Sequence, residues 1–171
     1  MAKIKTGLVV ADAGPLIHLD ELDALDVLSD YADVFVPNAV WLEVLHHRPQ
    51  ALQQPKVNLV HQSQPSASSR INAISAIYTL HRGEREALTL CLDRAINVLL
   101  TDDTAARLAA KSLNITTHGT LGLLIRAVRQ HLRTPSEVLE LLNAIPHQTT
   151  LHIRPSLLNE VIAKVKAEWA S

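Results

Sequence analysis

Four short runs, "LVVA", "DVFVP", "NVLL" and "ITTH", are separated by segments with helical spacing, and this alternation constrains the fold most strongly. Runs so brief, set beside turn residues, read as buried strands rather than helices. The first is Leu8–Ala11 and the second covers about residues 33–37; "NVLLTDD" holds the third and "ITTH" the fourth. Helical pattern follows the first strand through Leu28, and "NAVWLEVLHH" follows the second with Asn38 as its expected cap. "RPQALQQP" reads as a loop and "KVNLVHQ" as a weak strand. Ser-rich "SQPSASS" opens the helix "RINAISAIYTL", and Gly83 is expected to break the chain before "EREALTLCLDRA". "TAARLAAKSLN" and "GTLGLLIRAVRQHL" complete the alternation. Helices "TPSEVLELLNAI", marked by Thr134 and Pro135, and "PSLLNEVIAKVKAEW" come last, with "TTLHI" between them as a candidate edge strand. Strands joined through helices imply right-handed crossovers and a parallel sheet covered on both faces. The expected fold is therefore a three-layer α/β/α sandwich, a single domain over 1–171 with helices from about 135 packed on it.

Composition narrows the classes. A single cysteine, Cys91, excludes an internal disulfide and fits a reducing cytoplasm; its aliphatic surroundings mark it as a small core residue. Lys3 and Lys5 precede only four apolar residues before Asp12, so no secretory leader is expected, and no apolar run approaches membrane-spanning length. The net charge of −1 excludes whole-molecule attraction to polyanions, leaving local patches to bind them. Nine histidines show no metal-binding spacing and read as solvated or capping residues. Aromatic content of 3% argues against base-stacking platforms.

The acids carry the chemistry. Ligands of open parallel sheets bind beyond the carboxyl ends of the strands, where strand order reverses. Asp12 ends the first strand, and Asp102 and Asp103 end the third, so adjacent strands would bring these carboxylates to one edge. Glu43 borders the apolar stripe of its helix. Glu84 heads the series Glu84, Ala87, Leu88, Cys91, Ala95, which has the spacing of an inward face, whereas Glu86 lies on a mixed face. Each acid has a plainer reading: Asp12 and Asp103 as helix caps, Glu84 and Glu86 as favourable charges at a helix amino terminus, Glu43 as a solvated residue. Together, without thiols or paired imidazoles, they form a hard-oxygen set that suits Mg²⁺ or Mn²⁺, with Asp12 as its expected central ligand.

The segments "VVADAGPLIHL", "VPNAVWLEV", "GEREALTLC", "VLLTDDTAARLAA" and "THGTLGLLIRA", in this order, resemble the PIN-domain nucleases, a group that includes VapC-type toxins. The resemblance covers roughly residues 7 to 145, and the GTLG segment is similar to a subgroup of short stand-alone PIN proteins. Carried over by position, it makes Asp12 the first acid, Glu43 the second, Glu84 the third and Asp103 or Asp102 the fourth. Many members carry Asp where this chain has Glu84, and "GEREA" offers a second choice in Glu86. The resemblance implies an Mg²⁺- or Mn²⁺-dependent endoribonuclease that hydrolyses RNA, with one or two ions held by Asp12, Asp102, Asp103, Glu43 and Glu84. It also implies an antitoxin as a candidate protein partner.

Other features have two readings. "THGTLG" opens a helix, so Thr120 and nearby N–H groups are a candidate phosphate contact, or the glycines only permit a tight turn. Arg82, Arg85, Arg107, Lys111, Arg126, Arg129 and Arg133 are candidate phosphate neighbours or ordinary helix surface. Leu157, Leu158, Val161, Ile162, Val165 and Trp169 form an apolar face that packs on the domain or serves a homodimer. The competing functions are a non-catalytic PIN-fold binding domain and a phosphotransfer protein. "ADAGPL" lacks the second Asp expected of an aspartate-nucleophile phosphatase, and no Lys follows "ITTH" as a receiver would require.

Overall fold

A computed structural model describes residues 5, 7–63 and 68–169. Lys3 and the Gln64–Ala67 part of the expected Ser-rich helix opening lie outside the described residues. Five strands form one parallel sheet: β1 (Leu8–Ala11), β2 (Asp33–Pro37), β3 (Leu59–Gln62), β4 (Val98–Leu100) and β5 (Thr116–His118), in the order β3-β2-β1-β4-β5. The chain winds outward through β2 and β3, then returns to lay β4 on the other side of β1. Strand order therefore reverses between β1 and β4, whose ends carry Asp12 and the Asp102–Asp103 pair.

Alternation along the strands divides the core in two. Val9, Ala11, Val34, Val36 and Leu100 point to one face, where they meet α1 (Ala13–Glu21), α2 (Asn38–His47) and α6 (Thr120–Arg129). Onto these pack α7 (Pro135–Gln148) and α8 (Pro155–Trp169), through Val138, Leu142, Ile145, Leu158 and Val165. Val10, Phe35 and Leu99 point to the other face, against α3 (Ser69–Tyr78), α4 (Arg82–Arg94) and α5 (Thr104–Ser112). The result is the three-layer α/β/α sandwich, with the tail helices adding to one layer. Most of the apolar face of α8 packs inward: Leu158 and Val165 are buried, and Val161, Ile162 and Trp169 lie against the core, whereas Leu157, expected on the same face, is exposed.

Several local expectations are corrected. The first helix stops at Glu21, because Asp23 takes a left-handed φ of 53° and Ala24 N–H donates to Leu19 O at 2.8 Å, closing a Schellman-type end. A separate 3-10 turn then covers Leu25–Leu28, and another covers Pro49–Gln53 inside the expected loop. Asn38 is the first residue of α2 rather than its cap; its Oδ1 meets His61 Nε2 at 2.9 Å. Gly83 lies within the first turn of α4 instead of interrupting the chain. Ala95, expected on the inward face, is the exposed left-handed residue that ends that helix. "TTLHI" forms no strand, since the Leu151 N–H goes to Thr149 Oγ1 and the Thr150 N–H to Glu21 Oε1.

Candidate functional site

Asp12 follows β1 directly, and its N–H donates to Leu100 O of the neighbouring strand at 2.8 Å. Its Oδ1 accepts the Ala13 N–H at 2.9 Å, so it caps α1; its Oδ2 accepts the Thr101 hydroxyl at 3.0 Å. The capping reading and the site reading thus describe the same side chain. Asp12 is 7% exposed, and burial pushes its pKa up to about 7, helped by the like charges of Glu84 and Glu43. Glu84 is also buried; its pKa is raised by burial and, in smaller part, by Asp103 and Glu43. Each oxygen of Asp12 keeps a lone pair beyond the bond it accepts, so both remain able to face a cation.

One cavity of about 370 Å³ gathers the acids: Asp12, Glu43, Glu84, Asp102 and Asp103 all line it. They come from the ends of β1 and β4 and the helices α2 and α4. Gly83 opens the space between two of them, for a Cβ there would stand 3.8 Å from both Asp12 Oδ1 and Glu43 Oε2. Glu84 reaches back to accept the His81 N–H at 2.8 Å, which fixes its carboxylate at the mouth of α4. Glu86 has a different position, since its oxygens accept the Ala39 N–H at 2.9 Å and Arg82 Nε at 3.0 Å, capping α2 from outside the cavity lining.

The two adjacent aspartates divide. Asp103 caps α5 through the Ala106 N–H at 2.8 Å, as the plainer reading expected. Asp102 is held by three donors or partners: His18 Nδ1 at 2.7 Å, the Thr120 N–H at 2.7 Å and the Thr120 hydroxyl at 2.6 Å. Those contacts hold its carboxyl below the usual range even though burial opposes ionisation. Of the two readings of this segment, the structure favours the turn: Thr120 is fully buried and both its polar hydrogens are directed at Asp102, not at an open phosphate site. Gly119 is needed for this clamp, because a Cβ would lie 2.7 Å from Asp102 Oδ1 and 2.5 Å from Arg107 Nη2.

Sequence reasoning passed over His18, Thr101 and the segment Thr150–His152, which also borders the acid cavity. His18 was visible only as one of many scattered histidines, and its partner lies 84 residues away. Among the candidate phosphate neighbours, Arg107 does approach the site, its Nε donating to Thr101 O at 3.4 Å. Arg126 and Arg133 instead form ion pairs of 2.6 Å with Asp30 and Asp26, and neither is free helix surface. Cys91 is buried, with its thiol pushed up to about 12, which fits its reading as a core residue.

A family model described as DUF3368, PIN domain, matches residues 8–167. The chain belongs to the PIN-domain family. PIN domains have a nuclease-like fold, are usually nucleases and typically use divalent metals. No curated protein matches this PIN chain. Five acids line the cavity, but among the described residues no three Asp, Glu, His or Cys side chains are grouped closely enough to hold one metal ion as they stand, and no helix is long and apolar enough to cross a membrane. The donor chemistry nonetheless fits a hard cation. The cavity acids offer only carboxylate oxygens, and the buried Asp12 beside two like charges is a group that a cation would relieve.

Proposed function

We infer that this PIN domain is an Mg²⁺- or Mn²⁺-dependent endoribonuclease whose centre is the acid cavity at the β1–β4 switch point. The observation that carries the reading is the convergence of acids from separate elements on one cavity, with Asp12 buried among like charges. Asp12, Glu43, Glu84 and Asp103 would hold the metal, water completing the shell of an ion that dehydrates reluctantly. Asp102 also fastens α1 to α6 beside the cavity, His18 and the Thr120 hydroxyl engaging its Oδ2, while its Oδ1 accepts only the Thr120 N–H and keeps a lone pair that could join the metal shell. When bound, the metal supplies Lewis acidity and lowers the pKa of a coordinated water for attack on the phosphodiester. The chain's own contribution is to place the carboxylates, to exclude bulk water around Asp12, and to set Arg107 beside the cavity as a counter-charge for phosphate.

The toxin role belongs to the same reading. Leu42 and Leu45, one turn apart on α2 and close to Glu43 in sequence, are 53% and 49% exposed, an apolar edge that suits a protein inhibitor such as an antitoxin. A homodimer is the other use of such a surface. The lack of a ready-made ligand set among the described residues favours the competing reading, a PIN-fold domain that binds nucleic acid or protein without cleaving.

Calorimetric titration of Mn²⁺ into the wild type and Asp12→Asn, with cleavage of a structured RNA followed alongside, separates these readings. Metal binding and Mn²⁺-dependent cleavage that both collapse in the variant support the nuclease. Metal binding without cleavage favours the binding domain, and no metal binding by either protein removes the metal centre altogether.

A further inference from the structure

A second cavity, of about 410 Å³, lies between α7 and α8 and shares Leu151 and His152 with the acid cavity. The two spaces thus meet across the loop 149–154. That loop is held in place rather than loose: Glu21 Oε1 accepts both the N–H and the hydroxyl of Thr150 at 3.0 Å, from 129 residues away. Thr149 Oγ1 donates to Ile145 O at 2.8 Å and accepts the Leu151 N–H. A hydrogen-bonded loop therefore lies between the acids and a pocket of different chemistry.

The second pocket has no acid in its lining. Its apolar lining includes Leu151, Ile153, Leu158 and Ile162, and its polar lining residues are Asn143, His147, His152 and Asn159. Asn143 donates to Leu139 O at 2.8 Å, which turns its amide and leaves acceptor capacity on its oxygen. Residues 143–155 carry His147, His152 and Arg154 but no Asp or Glu, the reverse of the acid wall opposite. Such a combination complements one kind of neighbour to a metal-held phosphate. Aliphatic side chains cover the face of a base splayed out of its stack without an aromatic platform, amides read its edge, and the absence of carboxylates spares the adjoining phosphate from repulsion.

Resting on the nuclease reading above, we propose that the α7–α8 cavity is a nucleobase subsite. It takes one base of single-stranded RNA next to the scissile phosphate, with Asn143 and Asn159 facing the base edge and His152 beside the intervening backbone. The subsite makes the enzyme sensitive to the base at one flanking position. Its residues act on substrate binding and leave the metal centre alone.

The test uses short single-stranded RNA oligonucleotides covering every dinucleotide step, and matched strands with an abasic nucleotide on either side of the cut. Wild type, Asn159→Ala and the cavity-filling Asn143→Phe are compared for Mn²⁺ affinity and for the KM and kcat of cleavage. Both asparagines are exposed, so these variants spare the core. The expected result is a rise in KM of about tenfold for the wild type when the base is removed on one side only, with kcat little changed. The variants show that same raised KM on intact RNA, lose the sensitivity to the abasic strand, and bind Mn²⁺ as before. Cleavage by the wild type that ignores the missing base on either side overturns the subsite while leaving the nuclease standing. Variants that lose Mn²⁺ binding or kcat rather than KM also overturn it. If the wild type cleaves no RNA with Mn²⁺, the nuclease reading itself fails and the subsite falls with it.

Discussion

At the scale of a residue, Asp12 concentrates the physical tension of the molecule. Its ordinary pKa is 3.8, and burial, with help from Glu84 and Glu43, raises it to about 7 in the folded chain. An acid with a raised folded pKa binds its proton more tightly when native than when unfolded. Its contribution to metal-free stability is therefore fully present below about pH 4 and is lost as pH climbs to and through about 7. The upper bound of that loss is on the order of 4 kcal/mol. Asp12→Asn does not titrate and its amide oxygen can still accept the Ala13 N–H. In EDTA, the melting temperature of the wild type should fall relative to the variant as pH rises across this window. Added Mn²⁺ at high pH should restore the wild type and leave the variant unmoved. A constant difference between the two proteins at every pH would show that Asp12 is not held in a charge-averse setting.

At the scale of an element, the start of α6 shows why a glycine-containing turn can be structural on one side and idle on the other. A Cβ on Gly119 would meet Asp102 Oδ1 at 2.7 Å and the backbone Thr101 O at 3.2 Å, while one on Gly122 meets nothing within 4 Å. Arg107 can swing away from the first, but the Thr101 carbonyl is part of the strand end and cannot. Gly119→Ala should thus cost about 1–3 kcal/mol in urea unfolding by displacing the Asp102 clamp. Gly122→Ala, inside the helix, should add up to about 1 kcal/mol through helix propensity. Equal effects of the two changes would refute the clamp. The turn was legible in "THGTLG", but its purpose was not. A helix amino terminus after a strand suggests a phosphate, and only the fold reveals that Asp102 already occupies that end. The strands were legible for the opposite reason. Leu8–Ala11 and Asp33–Pro37 announce themselves by a local apolar run between turn signals, with no distant partner needed.

At the scale of the whole molecule, a parallel sheet delivers strand ends to one edge, so Asp12 and the Asp102–Asp103 pair were expected together provided their strands were neighbours, as β1 and β4 are. Contacts that tie the tail to the first third of the chain carried no such pattern. Glu21 with Thr150, Asp26 with Arg133 and Asp30 with Arg126 each look like unremarkable surface residues until the chain closes. The last pair is the most buried of them. Asp30 and Arg126 side chains are 6% and 19% exposed, joined by two hydrogen bonds of 2.9 and 2.6 Å, and the guanidinium lies 4.1 Å from the centre of the Tyr31 ring. Removing one partner strands the other charge without water, whereas replacing both with apolar groups removes the desolvation cost along with the attraction. Arg126→Met alone should therefore destabilise the fold by about 3–5 kcal/mol, and the double change Asp30→Leu with Arg126→Met should recover most of that loss. Chemical denaturation of the three variants and the wild type measures the cycle. Because α6 begins at the acid cavity and Arg126 sits farther along it, Mn²⁺ affinity below the melting transition should be the same in the double variant as in the wild type. A double variant no better than Arg126→Met would mean that the cation's stacking on Tyr31, and not its pairing with Asp30, anchors α6 to the segment after the first helix.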